Sequence, residues 1–185
     1  TVTVIVNPVN DLPTLAAISD RALAENSPEQ TIGLTGIAAG GSENQLLRVT
    51  ATSDNTGLVP DPTVTYTSAE ATGSITFTPA SNTSGIAVIT VTVEDGGLDG
   101  DLSSTSDNAT TSQTFTVTVN PVNDLPTVAA ISNIGLAENA AEQTVNLSGI
   151  AAGGGESQPL RITATSDDTN MIPHPFVIYA SAESS

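Results

Sequence analysis

The sequence predicts an all-β protein made of two-sheet sandwiches, and three observations carry that prediction. Threonine is the commonest residue and valine is frequent beside it, punctuated by 15 glycines and 11 prolines, a balance of strand formers and turn formers. Stretches such as Val88–Val93 (VITVTV) and Thr114–Val119 (TFTVTV) place apolar residues opposite threonine in strict alternation, the period of a half-buried strand. A long block of the chain also occurs twice, and no stretch has the length or period of a helix.

The repeat fixes the organisation. Thr1–Thr14 (TVTVIVNPVNDLPT) returns as Thr114–Thr127 (TFTVTVNPVNDLPT), Asn7 recurring as Asn120, and the same spacing holds to the end of the sequence. LAEN (Leu23–Asn26) returns at Leu136–Asn139, GIAAGG (Gly36–Gly41) at Gly149–Gly154, and RVTATSD (Arg48–Asp54) as RITATSD at Arg161–Asp167. A period of roughly 100 residues exceeds that of solenoids and suits one sandwich per repeat. Residues 1–10 then read as the last strand and linker of a preceding repeat, 11–123 as one complete unit, and 124–185 as the first half of the next. The sequence is expected to be an excerpt of a longer tandem array.

Seven strands are expected in the complete unit. They fall near Leu23–Ala24, Gln30–Leu34, Leu46–Thr52, Thr63–Thr67, Ser74–Thr78, Ile86–Val93 and Gln113–Val119. Pro60, Asp61, Pro62, Pro79, Gly85 and the Gly96–Gly97 pair break them apart.

Composition excludes several functions. Twenty acids against three bases (Arg21, Arg48 and Arg161, with no lysine) give a formal charge of −17, a field that repels phosphate backbones and anionic membrane surfaces. No run of residues is apolar enough for membrane insertion. The absence of cysteine removes disulfides, thiolate metal sites and cysteine nucleophiles. A serine nucleophile needs a base, and the one histidine, His174, is replaced by Asp61 in the other copy. Nothing marks a cleft with opposed carboxylates, so the chain reads as no enzyme, with no catalytic residue and no organic cofactor.

Oxygen-rich segments are the remaining candidates for chemistry. Asp95–Ser112 (DGGLDGDLSSTSDNATTS) is a long polar loop carrying Asp95, Asp99, Asp101 and Asp107, either a mobile hairpin connection or a cation-binding loop. N-P-V-N-D-L-P occurs at Asn7–Pro13 and Asn120–Pro126. Proline restricts its own φ and the residue before it, so each motif makes a short, inflexible connector that bears Asn10 and Asp11, or Asn123 and Asp124. Calcium takes six to eight such oxygens, and a cation would neutralise the acidic joint. Asn-Asp-x-Pro is equally good turn chemistry, and at this level both readings stand.

The joint resembles the D-x-N-D-N-x-P linker of cadherins. LAEN, with Glu25 and Glu138, resembles their P-E-N motif, and VEDGG at Val93–Gly97 resembles their A-x-D-x-G strand end. The nearer resemblance is to cadherin-like or immunoglobulin-like tandem repeats of very large bacterial extracellular surface proteins of the adhesin type, in which V-N-D-x-P recurs about once per domain. The resemblance implies seven-stranded Greek-key sandwiches joined end to end. It also implies Ca2+ at the joints, with Asn10, Asp11 and Asp95 serving one and Glu25, Asn123 and Asp124 the next. The sequence departs from the family where Asn7 and Asn120 replace the first linker Asp and where Leu12 and Leu125 replace its second Asn. One or two ions, or none, fits these joints better than three.

Partners follow from two further features. Thr63-Val64-Thr65 becomes Phe176-Val177-Ile178 in the second copy, so Phe176 and Ile178 are expected to make an inter-domain or inter-subunit interface. The second copy lacks counterparts of Gly73–Thr118 and needs covering by neighbouring repeats or by another copy in a filament. The expected function is that of a structural stalk or fibre segment of a giant extracellular protein serving adhesion or assembly. The alternative is a carbohydrate-binding or other adhesive module gripping cell-surface glycans, although few aromatic platforms exist for sugars.

Overall fold

The computed structural model describes residues 1–181 and divides into two compact units, Thr1–Pro121 and Val122–Ser185. The first carries seven strands and no helix: β1 (Arg21–Ala24), β2 (Gln30–Thr35), β3 (Leu47–Ser53), β4 (Thr63–Thr65), β5 (Thr72–Phe77), β6 (Gly85–Asp95) and β7 (Thr110–Asn120). They form a four-stranded sheet in the order β1-β7-β6-β3 and a three-stranded sheet in the order β2-β5-β4. All pairings are antiparallel except β1 with β7, which runs parallel with Arg21 opposite Val117 and Ala24 opposite Asn120.

The alternation seen in sequence becomes the core. On β6, Ala87, Ile89, Val91 and Val93 are buried, and on β7, Phe115, Val117 and Val119 are. Opposite them the second sheet contributes Ile32, Leu34, Ile75 and Phe77. Burying one such side chain is worth about 1.5–3 kcal/mol, so this facing set outweighs any surface interaction in the unit. The pleat that buries Val91 and Val93 continues for one more period and turns Asp95 inward, with no exposed surface. A carboxylate in that row is costly unless hydrogen-bonded.

Thr1–Val6 nearly repeats the sequence of β7, yet it forms no strand here, and Val2, Val4 and Val6 are exposed. A lone strand without neighbours to pair with has no stability of its own.

The second unit repeats local geometry of the first without its sheets. The bridge Thr14↔Ala38 recurs as Thr127↔Ala151. Left-handed Gly36, Gly40 and Gly41 recur as Gly149, Gly153 and Gly154. Residues that lie in the core of the first unit have exposed counterparts here, Ile32 in Val145 and Val59 in Ile172. The second copy contains counterparts of β1 to β4 only, so side chains that would face β5 to β7 meet solvent. Glu183 and the other residues beyond 181 lie outside the described set. Among the described residues no helix is long and apolar enough to cross a membrane.

Candidate functional site

The oxygen-rich residues gather at the leading end of the first unit. Asp95 closes β6, and its Oδ1 accepts three hydrogen bonds: from the Gly97 N–H at 3.0 Å, the Ala109 N–H at 2.8 Å and Asn10 Nδ2 at 3.1 Å. Its own N–H donates to the Ala109 carbonyl at 3.1 Å, which closes the base of the β6–β7 loop. Asn10 Nδ2 also donates to the main-chain oxygen of Asp107 at 2.9 Å, and Asn10 Oδ1 accepts from Gln45 Nε2 at 2.6 Å. The linker motif and the strand-end motif therefore meet through one amide.

Within the loop the aspartates divide into two kinds. Asp99 Oδ1 accepts from the Asp101 N–H, and Asp101 Oδ1 accepts from both the N–H and the hydroxyl of Ser103. These are ordinary Asx turns on the surface, and the Ser103 hydrogen bonds hold the Asp101 carboxyl below its usual range. Asp107 is different. Its Oδ2 accepts from the Leu98 N–H at 2.8 Å, and its carboxylate lies against Gly97, where a Cβ would come within 2.5 Å of it. Gly97 has φ +61, so both its conformation and its bare Cα are required.

Asp11 is placed by a second device. Its N–H donates to Glu43 Oε2 at 3.2 Å, and its carboxylate packs onto the Gly40–Gly41 turn, where a Cβ on Gly41 would overlap Asp11 Oδ2. The second unit builds the same arrangement. The Asp124 N–H donates to Glu156 Oε2 at 3.1 Å, Gln158 Nε2 donates to Asn123 Oδ1 at 3.2 Å, and the Asp124 carboxylate lies over Gly154.

Glu25 sits at the opposite end of the first unit, buried, where β1 ends. Its N–H donates to the Asn120 carbonyl at 2.8 Å, and Asn120 Nδ2 returns a bond to Leu23 O at 3.2 Å. The structure thus brings Asn10 and Asp95 together, turns the Asp11 carboxylate onto a glycine turn, and holds Glu25 within one unit and Asn123 and Asp124 within the other. Phe176 and Ile178 are each 89% exposed.

Sequence reasoning missed Glu43, Gln45 and Asn108. A signal for the first two was present: Glu43-Asn44-Gln45 returns as Glu156-Ser157-Gln158, with only the middle residue changed. Asn108 has no such echo. Its Nδ2 donates to Glu94 Oε1 at 3.2 Å, beside the Arg48–Glu94 ion pair at 2.5 Å. Hydrogen bonds from Arg48 first and Asn108 second hold the Glu94 carboxyl below its usual range. Among the described residues no three His, Cys, Asp or Glu side chains converge as a metal cluster.

No model of a known protein family matches the chain, and no curated protein does. Two solved structures are similar. One is the crystal structure of domains 4 and 5 of the S-layer protein SbsC, at 18% identity and a TM-score of 0.38, covering 64% of this chain and 50% of that one. The other is titin domains z1z2 in complex with telethonin, at 13% identity and a TM-score of 0.36, covering 67% of this chain and 55% of that one. The chain spans about half the length of the solved structures it matches.

Proposed function

We propose that this chain is a load-bearing segment of a giant extracellular protein, a stalk or fibre of tandem cadherin-like Greek-key sandwiches stacked end to end for surface adhesion or assembly. The observation that supports the reading is the parallel pairing of β1 with β7. β1 is the first strand of the first unit and β7 its last. A pull between its ends therefore slides the two strands past each other, and their hydrogen bonds are loaded together rather than one at a time. The segment before β1 extends the same contact: Thr111 Oγ1 donates to Pro13 O at 2.5 Å, and the Thr116 N–H donates to Asp20 Oδ1 at 2.7 Å.

In this reading the module is non-catalytic and its partners are neighbouring repeats and other copies of the same protein. Phe176 and Ile178, apolar at outward positions, are contact residues for such a copy. Calcium would serve the joints through Asn10, Asp11 and Asp95 at one and through Glu25, Asn123 and Asp124 at the next. All six offer hard oxygen ligands suited to that ion. Small-angle X-ray scattering tests the stalk. An elongated particle whose dimensions stay fixed when salt is raised supports it, and a compact or freely hinging pair of units contradicts it.

A further inference from the structure

The outward face of the three-stranded sheet differs between the two copies. In the first unit the register fixes its rows: Thr31, Thr76 and Thr63 stand side by side, and Gly33, Ser74 and Thr65 form the next row. Every outward position on β2, β4 and β5 is threonine, serine or glycine, so the face carries neither a charge nor a large apolar group. Gly33 leaves open space on it, since a Cβ built there would meet nothing within 4 Å. A glycine inside a strand often marks a place where another group approaches the backbone closely.

In the second copy Phe176 and Ile178 stand where the first has Thr63 and Thr65. Both are exposed while Val177 and Tyr179 are half-buried, the same alternation that Thr63 and Thr65 make with Val64 and Tyr66. The two large side chains therefore hold outward positions. Further strands would not cover them, because Thr63 and Thr65 stay exposed in a unit that has all seven. A phenylalanine and an isoleucine side by side in water are unfavourable, and such a patch marks contact with another surface.

We infer that Phe176 and Ile178 of one copy of the chain dock on the Gly33–Ser74–Thr65 row of a second copy. The inference rests on the load-bearing reading only in taking the partner to be the same protein. Three features favour that partner. With 20 acids against 3 bases, two copies repel each other, and an uncharged face lets them approach at small cost. An aromatic ring laid over the edge-strand glycine covers backbone that no side chain shields. Each chain offers both the apolar pair and the receiving row, so the contact is head to tail and recruits further copies rather than closing on a pair. Its footprint of two side chains and one row falls below the roughly 1,200 Å² of stable interfaces, so a single contact is weak and gains strength by repetition.

Sedimentation velocity of the full chain over a concentration series tests the contact. Reversible association is expected, and it should strengthen as salt screens the acidic charge. Phe176→Thr combined with Ile178→Thr installs the first copy's own residues and is expected to weaken association about tenfold or more. Gly33→Asn installs the second copy's residue on the receiving row, with space for its side chain, and should weaken association comparably while leaving the melting temperature nearly unchanged. A chain that stays monomeric throughout overturns the inference. Association that survives the double substitution overturns it too, because it runs through another surface. So does association that Gly33→Asn leaves untouched, since Phe176 would then meet something other than this row. An elongated, rigid scattering profile from a monomeric chain would remove this contact and leave the stalk, whereas these variant effects in a freely hinging chain would do the reverse.

Discussion

Asn10 and Asp95, 85 residues apart, are joined by a 3.1 Å hydrogen bond from the Asn10 amide to Asp95 Oδ1. The bond fastens the connector to the inward end of β6, the strand at the centre of the core. Asn10 uses its whole amide, donating twice and accepting once. Asn10→Ala is therefore expected to lower stability by about 2 kcal/mol, measured by urea denaturation. Asn10→Asp is expected to do more harm in chelator, since it sets a second carboxylate against that of Asp95 and an acceptor against the Asp107 carbonyl. Equal melting temperatures for Asn10→Asp and the parent in chelator would contradict this.

Gly41 combines φ +43 with an Asp11 carboxylate occupying the space of its missing Cβ. Gly41→Ala should cost about 1–3 kcal/mol. In a double-mutant cycle with Asp11→Ala, part of that cost should return because the steric overlap is removed, while the backbone strain remains. Strict additivity in the cycle would show that Asp11 and Gly41 do not touch.

Asp61 and His174 perform the same task in the two copies. Asp61 Oδ1 accepts from the Ser53 N–H at 2.7 Å, and His174 Nδ1 accepts from the Ser166 N–H at 3.0 Å. The histidine thus closes a turn. Asp61→His should leave the stability of the first unit nearly unchanged, whereas Asp61→Ala should cost about 1 kcal/mol. Thermal melting at neutral pH distinguishes the two, and similar losses for both would refute the equivalence.

Glu94 supplies a pH dependence of known sign. Hydrogen bonds from Arg48 and then Asn108 lower its pKa in the folded chain, so the unfolded chain binds its proton first as pH falls. The contribution is fully present above the ordinary carboxylate range and is lost as pH drops through the lowered value. The pair lies at the surface, and its worth is below about 1 kcal/mol. Arg48→Met should flatten the acid limb of the stability curve in low salt; an unchanged acid limb would mean the pair contributes nothing.

Much of the fold was legible because alternation reports burial directly. β6 and β7 emerge from VITVTV and TFTVTV, and all seven expected strands appear within a few residues of their predicted places. The parallel pairing of β1 with β7 was not legible, because RALA is four residues long and its partner lies almost a hundred residues away. The candidate site was legible where two motifs happened to meet, Asn10 with Asp95. Asp107 looked like any acid in a polar loop, and only the folded loop separates it from Asp99 and Asp101, whose carboxylates serve local turns. Glu43 and Gln45 escaped because their role depends on a glycine turn folding back onto the connector.

The most direct test of the load-bearing account is single-molecule pulling in two geometries. Since the chain has no cysteine, Ser27→Cys introduces a unique handle just past β1. Pulling the chain by its two ends shears β1 against β7, whereas pulling between position 27 and the C-terminal end peels them apart from one edge. The account predicts that the first unit unfolds at a several-fold higher force end to end than when peeled, with forced unfolding reporting the barrier rather than the equilibrium. Equal forces in the two geometries would contradict it.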